Sequence, residues 1–245
     1  MELYLKRIVV GDIGTNCYVV GKADTDGCVI IDPGADADKI ASVILADGRK
    51  PEAILLTHGH FDHIWGVEEL RERSGAEVYA YEGEEKLCQD PALNVSAAVG
   101  RSCGITPDHL FRDGEEFEFA GIRGRVIATP GHTGGSCCYY FEEDQILISG
   151  DTLFQESVGR TDFPTGSMSA LVRSVKEKLF TLPDETRVYP GHGMMTTTHL
   201  SANGLHVIPT VPMLRLYSPL LELPFAGMAR GIPILARLKF IWTMN

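Results

Sequence analysis

Thr57-His58-Gly59-His60-Phe61-Asp62-His63 brings three imidazoles and a carboxylate together within six residues. Neutral imidazole nitrogens and an ionised carboxylate are the donors that a divalent cation needs converging on one point. The run follows the short apolar stretch Ala53–Leu56, which has a strand's composition, so the donors sit where a strand opens into a loop. His58 and His60 alternate on an extended segment and therefore face the same way. Asp62 and His63 lie just beyond, where the chain turns into a helix. The plainer readings are a surface histidine run that takes up metal adventitiously and, for Asp62, an N-cap on that helix.

Three further stretches repeat the same order of residues. Val126-Ile127-Ala128 leads to Gly131-His132, Ile146-Leu147-Ile148 to Gly150-Asp151, and Arg187-Val188-Tyr189 to Gly191-His192-Gly193. Each is an apolar β-rich run, then a glycine that permits a tight turn, then a ligand-type side chain. Together they give five histidines and two aspartates. That is more than one tetrahedral zinc needs and suits two metals sharing a carboxylate.

The elements that must position these donors read as mixed α and β. Strands are expected at Leu3–Val10, Cys17–Val20, Cys28–Ile31, Ala53–Leu56 and Glu77–Ala80, and a second group at Glu115–Phe119, Arg125–Ala128, Cys137–Phe141 and Gln145–Ile148. Helices are expected at Asp36–Ala46, where Ile40, Val43 and Ile44 share a face, and at Asp62–Arg73. A third helix, capped by Ser167, carries Leu171, Val175 and Leu179 and ends near Pro183. Glu82 to Asp113 reads as an irregular, mostly polar insert of loop and short helix near the site.

With 245 residues, 44% of them apolar, the chain can bury the core of one domain. It has no apolar run of the roughly 18 residues a membrane helix needs. Met1-Glu2-Leu3-Tyr4 lacks the basic-then-apolar start of a secretory signal. The six cysteines form no CxxC pair, and Cys137 and Cys138 point to opposite faces of a strand, so buried free thiols in a reducing cytoplasm are expected. The net charge of −11 argues against nucleic-acid binding. A small-molecule substrate, no membrane and a monomer or homodimer complete the expectation.

His-x-His-x-Asp-His, Gly-His-Thr-x-Gly-Ser, Gly-Asp-Thr-Leu-Phe and a final Gly-His-Gly resemble the metallo-β-lactamase fold superfamily, most closely its glyoxalase II-like hydrolases. Thr15-Asn16-Cys17-Tyr18-Val19, Ile31-Asp32-Pro33-Gly34 and Ser157-Val158-Gly159-Arg160-Thr161-Asp162-Phe163 resemble that branch too. The resemblance covers about Leu3 to Thr197 and implies an α+β fold, a four-layer αββα sandwich. It assigns one metal to His58, His60 and His132 and a second to Asp62, His63 and His192, with Asp151 bridging. It also implies two divalent ions, zinc first with iron or manganese as substitutes. Asp62 then holds the attacking water and shuttles its proton, and the substrate is a thioester such as an S-acylglutathione. Arg160 reads either as the binder of a substrate carboxylate or as Asp162's structural partner. Other readings are a mononuclear-iron persulfide dioxygenase, a lactonase or β-lactamase, and a non-catalytic metal-binding protein.

Beyond Thr197 the resemblance stops. Residues 196–245 carry four basic side chains, Arg215, Arg230, Arg237 and Lys239, against one acidic, Glu222. Prolines 209, 212, 219, 224 and 233 interrupt every apolar stretch. Glyoxalase II proper has a helical C-terminal domain that contributes to glutathione binding, and this tail does not match it. Shorter relatives continue with Thr-Thr-Ile-x-x-Glu-Arg and then Asn-Pro-Tyr or Asn-Pro-Phe. Thr196 and Thr197 stand in register, and codons available to Leu200–Thr210, read one base earlier, encode Glu-Arg-Gln-Arg-x-x-Cys-Asn-Pro-Tyr. The expectation is a hydrolase domain over 1–197 and a poorly ordered tail over 198–245, frameshifted between about Thr197 and Leu200. The rival is a genuine tail that packs on the domain, binds a partner or touches a membrane. The gene's codons at these positions separate the two.

Overall fold

The apolar runs Cys17–Val20, Cys28–Ile31 and Cys137–Phe141 suit strands covered on both faces, and the strands that contain them are buried at nearly every position. In the computed structural model, which describes residues 3–204, these runs lie inside two stacked sheets. The first sheet contains β1 (Leu3–Val10), β2 (Thr15–Lys22), β3 (Gly27–Ile31), β4 (Lys50–Leu56), β5 (Glu77–Tyr81) and β6 (His109–Phe111), in that spatial order. Helices α1 (Ala37–Ala46), α2 (Phe61–Ile64), α3 (Val67–Ser74) and α4 (Glu85–Gln89) interrupt it. β1 to β3 form an antiparallel meander, and β3 to β6 run parallel.

The second sheet is built from β7 (Glu116–Phe119), β8 (Ile122–Ala128), β9 (Cys137–Phe141) and β10 (Ile146–Gly150), followed by a small hairpin of β11 (Leu153–Phe154) and β12 (Ser157–Val158). Helix α5 (Met168–Ser174) continues into a wider π turn over Val175–Leu179 and leads to β13 (Arg187–Pro190), β14 (Thr196–Thr197) and α6 (Thr198–Gly204). Its strand order is β14-β13-β10-β9-β8-β7.

Side-chain alternation makes four layers. Tyr18, Val29, Ile31, Leu55, Tyr139, Phe141 and Ile148 meet between the sheets. Their sequence neighbours Cys17, Ile30, Ile54 and Leu56 turn outward onto Ile40, Ile44, Val67 and Leu70 of α1 and α3. On the other side Cys138, Tyr140 and Leu147 pack against Val175 and Leu179. The result is the αββα sandwich. Cys137 and Cys138 do face opposite layers, and Cys17, Cys28, Cys88, Cys137 and Cys138 are buried free thiols; Cys103, against expectation, is only half-buried.

Several boundaries differ from the sequence reading. The helix expected over Asp62–Arg73 is two helices, because Gly66 donates its N–H to Pro33 O and breaks the run. The insert does carry a short helix, α4, and beyond that reading it ends in a strand, β6, which pairs with β5. Ser167 does cap α5, its hydroxyl accepting from Ala170 N–H. β14 ends at Thr197, and Ser201 of α6 is buried with its hydroxyl on Phe154 O. The rest of the tail expectation, residues 205–245, lies outside the described residues. Among the described residues no helix is long and apolar enough to cross a membrane.

Candidate metal centre

β4 delivers Thr57 to His60 at its C-terminal end, directly against the C-terminal ends of β8, β10 and β13. His60 occupies the capping position of α2, so Asp62 and His63 lie in its first turn, and Asp62 caps nothing. Instead Thr15 donates its hydroxyl to Asp62 Oδ2 at 3.0 Å. The loop after β8 contributes His132, the turn after β10 Asp151, and the turn after β13 His192.

The seven donors converge. His58, His60 and His132 have ring nitrogens within 4.8 Å of one another, and the same holds for Asp62, His63 and His192 and for His58, His63 and Asp151. Asp151 stands between the sets: its Oδ1 is 3.6 Å from His63 Nε2, and its Oδ2 is 3.6 Å from both His132 Nε2 and His192 Nε2. Space here is tight. A methyl group on Gly191 would lie 2.2 Å from Asp151 Oδ1, so only glycine lets the His192 turn come this close. His58, His60, Asp62, His63, His132 and Asp151 are buried, and His192 alone reaches solvent, with 14% of its side chain exposed.

Which nitrogen faces inward follows from the outer hydrogen bonds. His63 Nδ1 lies 3.0 Å from Asp32 Oδ2 and His132 Nδ1 2.8 Å from Arg160 O, so both rings donate outward and present Nε2 lone pairs to the centre. Thr57 donates its hydroxyl proton to Asp32 Oδ2, so its oxygen can only accept from His58 Nδ1, which frees His58 Nε2 as well. One buried carboxylate, Asp32, thereby sets the tautomer of an imidazole in each half of the site. Asp32 also accepts the Thr57 N–H.

The electrostatics match a cation site. Burial, reinforced by neighbouring imidazoles, holds His58 and His60 well below the usual histidine range, and burial lowers His132 too, so their lone pairs are available. Burial alone would raise Asp62, but His63 and His192 outweigh it and keep the carboxyl below its ordinary range. His63 goes the other way. In spite of burial, Asp62, Asp32 and Asp151 push it up to about 10, which marks the point where the site most favours positive charge. His58 Nε2, His63 Nε2, Asp62 Oδ1 and Asp151 Oδ1 are buried without a hydrogen-bond partner among the described residues. Such groups are costly unless something coordinates them. Orphaned lone pairs, nitrogen and carboxylate donors and the close spacing fit two divalent ions.

The model of the family described as the metallo-beta-lactamase superfamily matches residues 10–192. The chain belongs to that superfamily. It is 40% identical over 194 residues to "Probable metallo-hydrolase YqgX" of Bacillus subtilis (strain 168), across 78% of this chain and 90% of that one. It is 31% identical over 185 residues to "Hydroxyacylglutathione hydrolase GloC" of Haemophilus influenzae, across 74% of this chain and 87% of the other. Among solved structures it resembles the BLEG-1 B3 metallo-beta-lactamase, with a TM-score of 0.78 and 38% identity over 82% of this chain and 97% of that one. It also resembles TTHA1623 in a di-iron-bound form, with a TM-score of 0.71 and 36% identity over 81% and 98%.

Against the metallo-beta-lactamase motifs, the supporting residues are the less visible part. Arg160 places its carbonyl on His132, while its guanidinium forks onto both oxygens of Asp162, at 2.7 and 2.6 Å, and stacks over Phe163. Asp32 and Thr15 had no role assigned from sequence. A signal was present for Asp32: an apolar strand runs straight into a carboxylate beside a Pro-Gly turn, although here the glycine follows the acidic residue instead of preceding it. Asn16 ties the His192 turn, donating its side-chain amide to Pro190 O and Gly193 O. A small cleft lined by Ile13, Thr15, Asp62 and Trp65 leads from the surface to Asp62.

Proposed function

We propose that this chain is a metal-dependent hydrolase that cleaves thioesters, S-acylglutathiones among them, with His58, His60 and His132 holding one divalent ion, Asp62, His63 and His192 a second, and Asp151 shared. Superfamily membership and the donor set support a metal-dependent hydrolase, and the carrying observation is the convergence of seven buried or near-buried donors, with the His58, His63 and His132 Nε2 atoms turned inward by their outer hydrogen bonds. The likeness to a hydroxyacylglutathione hydrolase favours the thioester.

Divalent ions in such a site act as Lewis acids and make water a nucleophile near neutral pH. The protein's share is orientation. Asp62, with Oδ2 fixed by Thr15, offers Oδ1 to the water's proton and passes that proton on toward solvent. Asp32, Thr57 and the Arg160 carbonyl keep the imidazoles in one tautomer throughout the cycle. A thiol of pKa near 8.5 leaves as the thiolate without a strong general acid.

Hydrolysis of S-lactoylglutathione by zinc-loaded protein, measured beside His132→Ala, tests the reading. Turnover in the wild type and its loss in the variant is the expected result; no turnover by metal-loaded wild type removes this substrate. A second reading, oxidation of a persulfide at iron, draws on the relative seen in a di-iron form. Oxygen uptake by iron-loaded protein supports it, and none removes it.

A further inference from the structure

Glu82, Glu84 and Glu85 form an acidic cluster at the start of the insert, and Glu82 and Glu85 are exposed as such residues usually are. Glu84 is not. It closes a 3₁₀ turn over Glu82–Glu84 and is 1% exposed. Among the described residues it has no lysine, arginine or histidine partner within ion-pair distance. Its oxygens are used otherwise: Oε1 accepts the Gly59 N–H at 3.0 Å and Oε2 the Gly135 N–H at 3.0 Å. Burial, partly offset by these two bonds and one from Thr133, pushes its carboxyl up to about 7.

A carboxylate buried without a cation is an expensive way to hold a fold together. Its two partners explain the arrangement. Gly59 lies between His58 and His60, and Gly135 lies three residues after His132. The loops come from different sheets, one after β4 and one after β8, and they meet where His60 Nδ1 and His132 Nε2 stand 2.9 Å apart. Two ring nitrogens at that separation either share a proton or face a common cation. The brace is close-fitting: a methyl group on Gly135 would lie 2.2 Å from the Gly83 carbonyl carbon and 2.3 Å from Glu84 N. Other ties join the sheets beneath the site, namely Cys137 N–H to Thr57 O and the Tyr139 hydroxyl to Leu56 O. These ties hold the bases of the two loops together without Glu84, which adds a bond to each loop nearer the histidines.

We propose that Glu84 is a positioning residue, a carboxylate brace that fixes the distance between the His58/His60 loop and the His132 loop and so sets the affinity of the three-histidine site. This rests on the reading of these residues as metal ligands. The brace spans only that half of the centre. Asp62 and His192 are held from the other side, by Thr15 and by the Asn16 amide on the His192 turn.

Glu84→Gln tests the brace, because it keeps the side chain's size but sets an NH₂ group against one of the two N–H donors. Stepwise cobalt(II) affinities, measured against a competing chelator for wild type, Glu84→Gln and Glu84→Asp, read the two halves separately. The expected result is a folded Glu84→Gln protein whose three-histidine site binds about 10–100-fold more weakly, with the other site unchanged. Glu84→Asp, whose carboxylate is one methylene short, also loses affinity. Unchanged cobalt affinity in Glu84→Gln, even with lowered thermal stability, overturns the proposal and leaves Glu84 a structural residue. Wild type that takes up no cobalt instead overturns the ligand reading itself. Amide hydrogen exchange on wild type needs no variant: Gly59 and Gly135 should be protected together in metal-free protein, and rapid exchange at either contradicts the brace.

Discussion

His58, His60, Asp62 and His63 leave one loop of the first sheet, whereas His132, Asp151 and His192 come singly from three loops of the second. The first group is positioned by short-range geometry: an extended segment, one helical turn, and Asp32 behind it. The second depends on three strand ends meeting at one edge, on a glycine that lets the His192 turn approach, and on a carbonyl from Arg160. Half the centre is written in six consecutive residues, and the other half exists only once the sandwich has closed. The first half should therefore tolerate loosening of the second sheet better than the reverse.

Asp151→Asn attacks the one residue proposed to serve both ions and should have the largest effect. The expected fall in kcat/KM is on the order of 10³-fold, with loss of metal from both sets measurable by elemental analysis. If one ion remains at full occupancy, Asp151 does not bridge.

Next comes Glu84, which ties the His58/His60 loop of the first sheet to the His132 loop of the second. A carboxyl whose folded pKa is raised from 4.5 to about 7 contributes stability that is whole below the lower value and lost as pH rises through the higher one. In metal-free protein, unfolding free energies of wild type minus Glu84→Gln should fall by about 3 kcal/mol across that window. A flat difference curve would place Glu84 in a wetter setting than its burial indicates.

Asp32→Asn should weaken both ions by about 10–100-fold, since Asp32 orients His63 directly and His58 through Thr57. An effect confined to one ion would show that the Thr57 relay carries nothing.

The smallest change is expected from Arg160→Ala. Asp162 is more than half exposed, so the ion pair contributes roughly 0–1 kcal/mol, and the carbonyl on His132 survives the substitution. Metal affinity should hardly move. A rise in KM restricted to substrates bearing a carboxylate would assign the guanidinium to substrate binding.

Legibility in the sequence followed the same division. His58 to His63 could be read as donors because they are adjacent, and His132, Asp151 and His192 because each ends an apolar run with a glycine beside it. The strands were readable where both faces are buried, since Cys17–Val20 and Cys137–Phe141 are apolar throughout. The break at Gly66 was not, because it depends on Pro33, distant in sequence. Nor was the role of Glu84. Nothing local separates it from Glu82 and Glu85, and only packing against Gly135 makes it the buried one. Thr15 and Asp32 were visible as motif members, but their partners, Asp62, Thr57 and His63, are contacts across the fold.

The most direct test of the central claim is metal stoichiometry: chelator-stripped protein titrated with zinc, bound ion counted per chain, in wild type and in His132→Ala. The account predicts two tightly held ions in wild type and one in the variant. A wild type that holds a single ion, or none, would contradict it.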